Sequence, residues 1–327
     1  MIHLAKEIIE GRRLKKEDLS FFINADLKEL AEGANLIRER LCGEKVDLCS
    51  IRNGRGGKCS EDCKFCAQSA HYQTSCEEYG FLQKEVFVED CSYVQKNGVD
   101  RYSIVTAGRT MEGKDLENAV ETYRVLHEKF PDMILCASHG LMKGEDLKRL
   151  REAGVTMYHA NIETSESFFP KICTTHTFED KKKEIRLARE AGLTLCCGGI
   201  LGLGESWQDR IDMALFLAEE KIESIPLNFL IPIKGTPLEN NQKLTQDEIV
   251  RIVSLFRYIN PTAYVRIAAG RSYFEDGGAI LFRVGANATL TGDMLTTVGN
   301  NTSQDRMMLS KMGFLLKGVT NNESIRN

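Results

Sequence analysis

The sequence predicts an α/β protein, a TIM-like (β/α)8 barrel with an N-terminal helical extension, on three observations. From about residue 46 onward, apolar runs of strand length alternate with segments of helical periodicity, and repeated units of this kind build a parallel sheet with helices outside. About eight such strands are counted, which favours a closed barrel over an open, doubly wound sheet. Polar and thiol side chains recur toward the ends of those strands, where a barrel gathers its chemistry. A chain of 327 residues has room for one barrel-sized domain.

Taken in order, residues 1–42 read as two or three amphipathic helices, with Leu27, Leu30, Ala34 and Ile37 near helical spacing. Gly43 then punctuates the chain, and Val46 to Ile51 is a short apolar strand leading to the glycine-rich Asn53-Gly-Arg-Gly-Gly57. Further strands are expected at about 101–106, 132–137, 155–162, 193–200, 224–231, 263–267 and 279–290. Helices are expected between them, at about 84–97, 114–129, 143–153, 178–191, 206–221 and 245–258. The barrel unit is therefore placed at 43–318, followed by a tail at 319–327.

Net charge is 43 minus 47, or −4, and no basic stripe with interleaved aromatics is present, so a nucleic-acid surface is not expected. No apolar run is long enough to span a membrane. Residues 1–10 alternate charged and apolar groups too often for a signal peptide, so the 11 cysteines are expected to be reduced and the protein cytoplasmic.

Three of those thiols, Cys59, Cys63 and Cys66, fall within eight residues of chain. Spacing this tight reads as a metal site. A structural zinc needs four protein ligands, and none follows at finger-like spacing; the nearest candidate is His71. A 4Fe-4S cluster on three cysteines leaves one iron open for a small molecule. Ser103, Cys136, Asn161, Glu163, Cys196, Asn228 and Arg266 stand on or at the ends of successive predicted strands. Polar groups turned into a barrel cost free energy unless they hold something, although a lone inward Asn also bonds backbone.

The C-x3-C-x-aromatic-x-C pattern, with Phe65 in the aromatic place, resembles the signature of the radical S-adenosylmethionine (SAM) enzymes. Within that superfamily the chain resembles the biotin synthases from about residue 45 to 315. The likeness is carried by Ala67-Gln-Ser-Ala70, Tyr158-His-Ala-Asn-Ile-Glu-Thr-Ser165, Cys196-Cys-Gly-Gly-Ile-Leu-Gly-Leu-Gly-Glu205, Pro226-Leu-Asn-Phe-Leu230, Lys234-Gly-Thr-Pro-Leu238 and Tyr264-Val-Arg-Ile-Ala-Ala-Gly-Arg271.

The resemblance implies sulfur insertion into dethiobiotin to form biotin, driven by 5'-deoxyadenosyl radicals from SAM. It implies that Cys59, Cys63 and Cys66 hold a 4Fe-4S cluster and that the turn Gly199, Gly202, Gly204, Glu205 packs against adenine. Asn161, Glu163 and Asn228 match positions that contact dethiobiotin, though the family more usually has Asn and Asp where this chain has His159 and Glu163. An auxiliary cluster is implied on Cys136, Cys196 and Arg266, but its fourth place carries Ser103, a harder and weaker iron ligand. Either a 2Fe-2S site with an altered ligand or a larger cluster such as 4Fe-5S is compatible, with Cys197 as a replacement candidate. Adjacent strand residues face opposite ways, which counts against Cys197.

A homodimer fed by a flavodoxin- or ferredoxin-type electron donor is also implied. Cys42, Cys49, Cys76 and Cys173 have no matching role, Cys91 is expected to pack outside, and Lys181 reads as a solvated charge in a lysine run. The alternatives are a cofactor-maturation enzyme of the biotin synthase-like group, which would not need Cys136 with Cys196 and Arg266, and a zinc-stabilised binding protein.

Overall fold

A computed structural model describes residues 1–292 and 301–318; the expected tail at 319–327 lies outside the described residues. Nine parallel strands form the sheet: β1 (Asp47–Arg55), β2 (Arg101–Thr106), β3 (Ile134–Ser138), β4 (Met157–His159), β5 (Thr194–Cys196), β6 (Gly199–Leu201), β7 (Ser224–Phe229), β8 (Tyr264–Ile267) and β9 (Ala288–Leu290). β1 pairs with both β2 and β9, and β5 pairs with both β4 and β7, so the sheet closes on itself. β5 and β6 are two halves of one barrel strand, which makes eight staves.

The interruption has a steric cause. A Cβ on Gly198 would stand 2.0 Å from the Pro226 carbonyl oxygen, so the backbones of two staves touch there. Two other expectations change. The run at 155–162 is regular only over β4, because the chain turns at Glu163, whose φ is +66°. The apolar run at 279–290 splits into a 3-10 helix at Ala279–Arg283 and the short β9, a case in which an apolar run by itself does not distinguish helix from strand.

The helices outside are α3 (Lys84–Lys96), α4 (Gly113–Lys129), α5 (Gly144–Glu152), α6 (Phe178–Glu190), α7 (Trp207–Glu219) and α8 (Gln246–Ile259). Three of them begin where the sequence writes a cap: Thr177 with Asp180, Ser206 with Asp209 and Thr245 with Glu248 form reciprocal capping boxes. Strand residues such as Leu48, Tyr102, Ile104 and Leu135 point outward into the continuous apolar layer under these helices. Cys91, on α3, lies in that layer.

At the N-terminus, α1 (Ile2–Ile9) packs on α2 (Leu27–Cys42), and α2 packs on α8. Close approach is possible because Gly33 has no side chain; a Cβ there would lie 1.8 Å from the Tyr258 hydroxyl. A last helix, α9 (Thr302–Lys311), precedes a segment in which Leu315 exchanges backbone hydrogen bonds with Glu44 and Val46, beside the start of β1.

Candidate active site

The loop after β1 closes on itself at the C-terminal mouth of the barrel. Cys59 N donates to the Gln68 carbonyl (2.8 Å), Ala70 N donates to the Cys59 carbonyl (2.8 Å), and Cys66 N donates to the Cys63 carbonyl (3.0 Å). Lys64 N donates to the Ile172 carbonyl (2.9 Å), docking the loop on the segment that follows β4. Cys59, Cys63 and Cys66 are all half-buried. Cys59 and Cys63 line a cleft with Phe65, Glu163 and Lys181. His71 takes no part: its ring is exposed and its Nε2 lies 3.0 Å from the Ser60 carbonyl.

Lys181 is not the solvated charge its neighbours in sequence suggested. It sits in the first turn of α6 with only 13% of its side chain exposed, its ammonium 3.3 Å from Glu184. That turn faces the cleft, so the charge lies beside the thiols rather than in water. Glu163 shares the cleft; burial pushes its carboxyl up to about 7, against the pull of Lys181 and His176. The cleft thus offers the Cys59 and Cys63 thiols, an ammonium and a carboxyl in one place.

One residue given no role in the sequence reading stands against the loop. Cys173 Sγ lies 3.7 Å from Cys63 Sγ and 3.3 Å from His176 Nδ1, and His176 Nδ1 is 2.6 Å from Glu61 Oε2. Cys63, Cys173 and His176 are close enough to share a single metal ion. Nothing local in sequence announces this, since the two cysteines are 110 positions apart.

Beyond β6 the chain turns through Gly202 and Gly204, at φ of +97° and +100°. Glu205 folds back into this turn: its carboxylate accepts from Gly202 N (2.9 Å), Leu203 N (2.7 Å) and Arg210 Nε (2.7 Å). Its side chain is therefore spent on shaping the turn. Gly199 lies beside Glu163, where a Cβ would meet the Glu163 carbonyl oxygen at 2.3 Å.

Both candidate amides are partly engaged as well. Asn161 Oδ1 accepts from Gly198 N (3.1 Å), leaving its NH2 group free of protein partners among the described residues. Asn228 donates to the Gly199 carbonyl (3.2 Å) and accepts from Ala269 N (3.2 Å), so it spaces two strands.

Deeper in the barrel the inward residues form a second polar set. Cys136 packs with Met157 and Cys196, away from the outer apolar layer. Cys197 belongs to that outer layer instead, which removes it as an inward ligand; the cause is the alternation of strand side chains. Cys49, also without an expected role, is buried inside with Ala268 and Leu290. Arg266 donates to the Asp47 carboxylate, and Arg101 Nε donates to the same oxygen at 2.7 Å. Burial works to raise the Asp47 carboxyl, yet the two guanidiniums outweigh it and hold the group ionised below its ordinary range.

The thiols titrate differently from one another. Burial pushes Cys49 up to about 12, whereas at Cys196 burial is overcome by His159 and Arg266, bringing the thiol down to about 7. Ser103 Oγ, on β2 beside Cys136, is buried with no hydrogen-bond partner among the described residues. A buried orphan hydroxyl among thiols and guanidiniums is what a site looks like when its contents contribute the missing contacts. Soft donors and fixed positive charge suit an anionic iron-sulfur centre.

Known proteins resemble the chain along nearly its whole length. The radical SAM superfamily model matches residues 55–217, and the biotin and thiamin synthesis associated domain model matches residues 226–315. Biotin synthases from Clostridium beijerinckii and Alkaliphilus metalliredigens are each 58% identical to the chain, over 96% of it and 99% and 98% of their own lengths. Among solved structures, methylornithine synthase superposes with a TM-score of 0.82 at 20% identity, covering 98% of each chain. The FeFe-hydrogenase maturase from Carboxydothermus hydrogenoformans gives 0.79 at 17% identity, covering 99% of this chain and 81% of its own. At those identities the two structures speak to the barrel alone. With full-length relatives at 58% identity and both domain models in register, the chain belongs to the biotin synthase family of radical SAM enzymes.

Proposed function

We propose that this chain inserts sulfur into dethiobiotin to form biotin, with SAM bound at the mouth and the substrate held between the mouth and the deeper thiols. The observation that carries the reading is the pairing of two sets on one barrel: Cys59, Cys63 and Cys66 above, and Cys136, Cys196 and Arg266 below. A cofactor-maturation enzyme on the same barrel has no need of the lower set. When bound, the 4Fe-4S cluster and SAM supply the hydrogen-abstracting radical, and an auxiliary iron-sulfur centre supplies the sulfur atom.

The protein's own work is binding and exclusion. Cys59, Cys63 and Cys66 would hold three irons and leave the fourth to SAM. Lys181 offers a fixed positive charge for the SAM carboxylate, at a depth where it is worth more than at the surface. The Gly199–Glu205 turn offers a glycine-rich, apolar surface to a flat ring, with Glu205 keeping it in shape. The free NH2 group of Asn161 is available to a carbonyl oxygen of the substrate. A closed barrel keeps solvent and bystander C–H bonds from a reactive radical. Membership in this family also supports a homodimer and reduction by a flavodoxin- or ferredoxin-type donor in the cytoplasm.

Anaerobic incubation with SAM, dethiobiotin and a low-potential reductant tests the reading. Both 5'-deoxyadenosine and biotin are expected. Deoxyadenosine without biotin would remove the substrate, and absence of both would remove the radical chemistry.

A further inference from the structure

The strand register locates the inward thiols more closely than their burial does. In an eight-stranded barrel of shear 8, side chains fill the interior in layers of four, each layer drawn from alternate staves. Moving from one stave to the next but one, a layer climbs two residues above the hydrogen-bonded partner.

Starting from Cys49 on β1, the partner on β2 is Arg101, whose partner on β3 is Ile134; two residues on stands Cys136. From Cys136 the line runs through Met157 to Thr194, and two residues on stands Cys196. From Cys196 it runs through Ser224 to Tyr264, and two residues on stands Arg266. From Arg266 it runs through Ala288 to Asp47, and two residues on the path returns to Cys49. Four climbs of two residues close the ring with the shear of eight that such a barrel requires. Cys49, Cys136, Cys196 and Arg266 are therefore one layer.

Ser103 is not in it. The same stepping puts Ser103 in the next layer toward the mouth, with His159, Pro226 and Leu290. Beneath the thiol layer lie Arg101 and Met157, and below them Asp47, whose carboxylate ties Arg101 to Arg266. The floor is thus rigid and positively charged, and the three thiols look inward above it.

Resting on the reading that the barrel holds an auxiliary centre, we infer that Cys49 is its third thiolate ligand, completing a ring with Cys136, Cys196 and Arg266. Ser103 is then a neighbour of the cluster and not a ligand to it. The missing thiol of the upper layer is replaced by one from the opposite side of β2, a stave away and deeper in the barrel. Thiolate is the soft donor that iron-sulfur centres take, and a serine oxygen is not.

The test uses the full-length protein with Cys59, Cys63 and Cys66 all changed to Ala, so that only the auxiliary centre remains, reconstituted anaerobically and read by iron and sulfide analysis and Mössbauer spectroscopy. Adding C49A is expected to abolish or strongly reduce the bound iron and sulfide; adding S103A is expected to leave content and spectrum unchanged. C49S guards against a folding defect: it keeps the volume while replacing sulfur by oxygen, and is expected to alter the iron isomer shift if any centre assembles. A C49S or C49A spectrum equal to that of the parent, or loss of the centre in S103A alone, would overturn the assignment. If the parent itself holds no iron and sulfide, the auxiliary-centre reading falls with it; if the parent is loaded and only the Cys49 result is wrong, that reading stands.

Discussion

Cys59, Cys63 and Cys66 stand half-exposed on a loop within eight residues of one another, whereas Cys49, Cys136 and Cys196 are buried on three separate strands and meet only when the barrel closes. The upper set is held by a few backbone hydrogen bonds at the rim and is open to a diffusing ligand. The lower set is held by strand pairing on every side and by a buried Asp47–Arg101–Arg266 network. An open rim suits a cofactor that must enter and leave in each cycle. A rigid, charged interior suits a centre that must be kept from solvent until its sulfur is used. The difference teaches that one barrel can present the same ligand atom in two kinetic regimes by changing only what positions it.

The sharpest break between the regions is chemical. Replacing Cys63 with Ala is expected to reduce 5'-deoxyadenosine formation to background, measured by chromatography of quenched anaerobic reactions, as the proposed role of Cys63 in holding one iron at the mouth requires. Replacing Cys196 with Ala is expected to abolish biotin while leaving deoxyadenosine formation in place. Equal loss of both products in the two variants would mean that the regions do not act separately.

A smaller effect is expected at Lys181. Removing its charge in K181M takes away a hydrogen bond to a charged group, worth about 1.5–3 kcal/mol. Weaker SAM binding by roughly ten- to hundredfold follows, read by equilibrium dialysis on the reconstituted protein. Unchanged affinity would return Lys181 to the purely structural pairing with Glu184.

The smallest expected effect sharpens the interior itself. Cys197 is adjacent to Cys196 in sequence yet lies in the outer apolar layer, so C197A should cost about 1 kcal/mol of stability through lost packing. Its iron and sulfide content should match the natural protein, whereas that of C196A should not. Iron loss in C197A would show that the strand end is irregular enough to turn both thiols inward.

Much of this molecule was legible before any coordinates. The three mouth cysteines announce themselves because their ligand set is local in the chain, and the six barrel helices between Lys84 and Ile259 appear close to where their periodicity and caps place them. Cys136, Cys196 and Arg266 were singled out by their places on the predicted strands, but the ligand role given them came from likeness to a family. Lys181 was misread because a run of three lysines carries no sign of which one faces inward; the register of α6 against the sheet decides that. Glu205 looked like a ligand contact, and its carboxylate proved to be occupied by the turn it closes.

By itself the sequence determined the alternation of strand and helix, the mouth triplet and the family, since each is written in residues near one another or in motifs kept in order. Only the tertiary structure decided that Cys197 faces out, that Cys173 approaches Cys63, and that Cys49 shares a layer with Cys136, Cys196 and Arg266. The physical reason is the barrel's shear: which inward side chains meet depends on how far each strand slides past the next, a sum over eight pairings that no single stretch of chain contains.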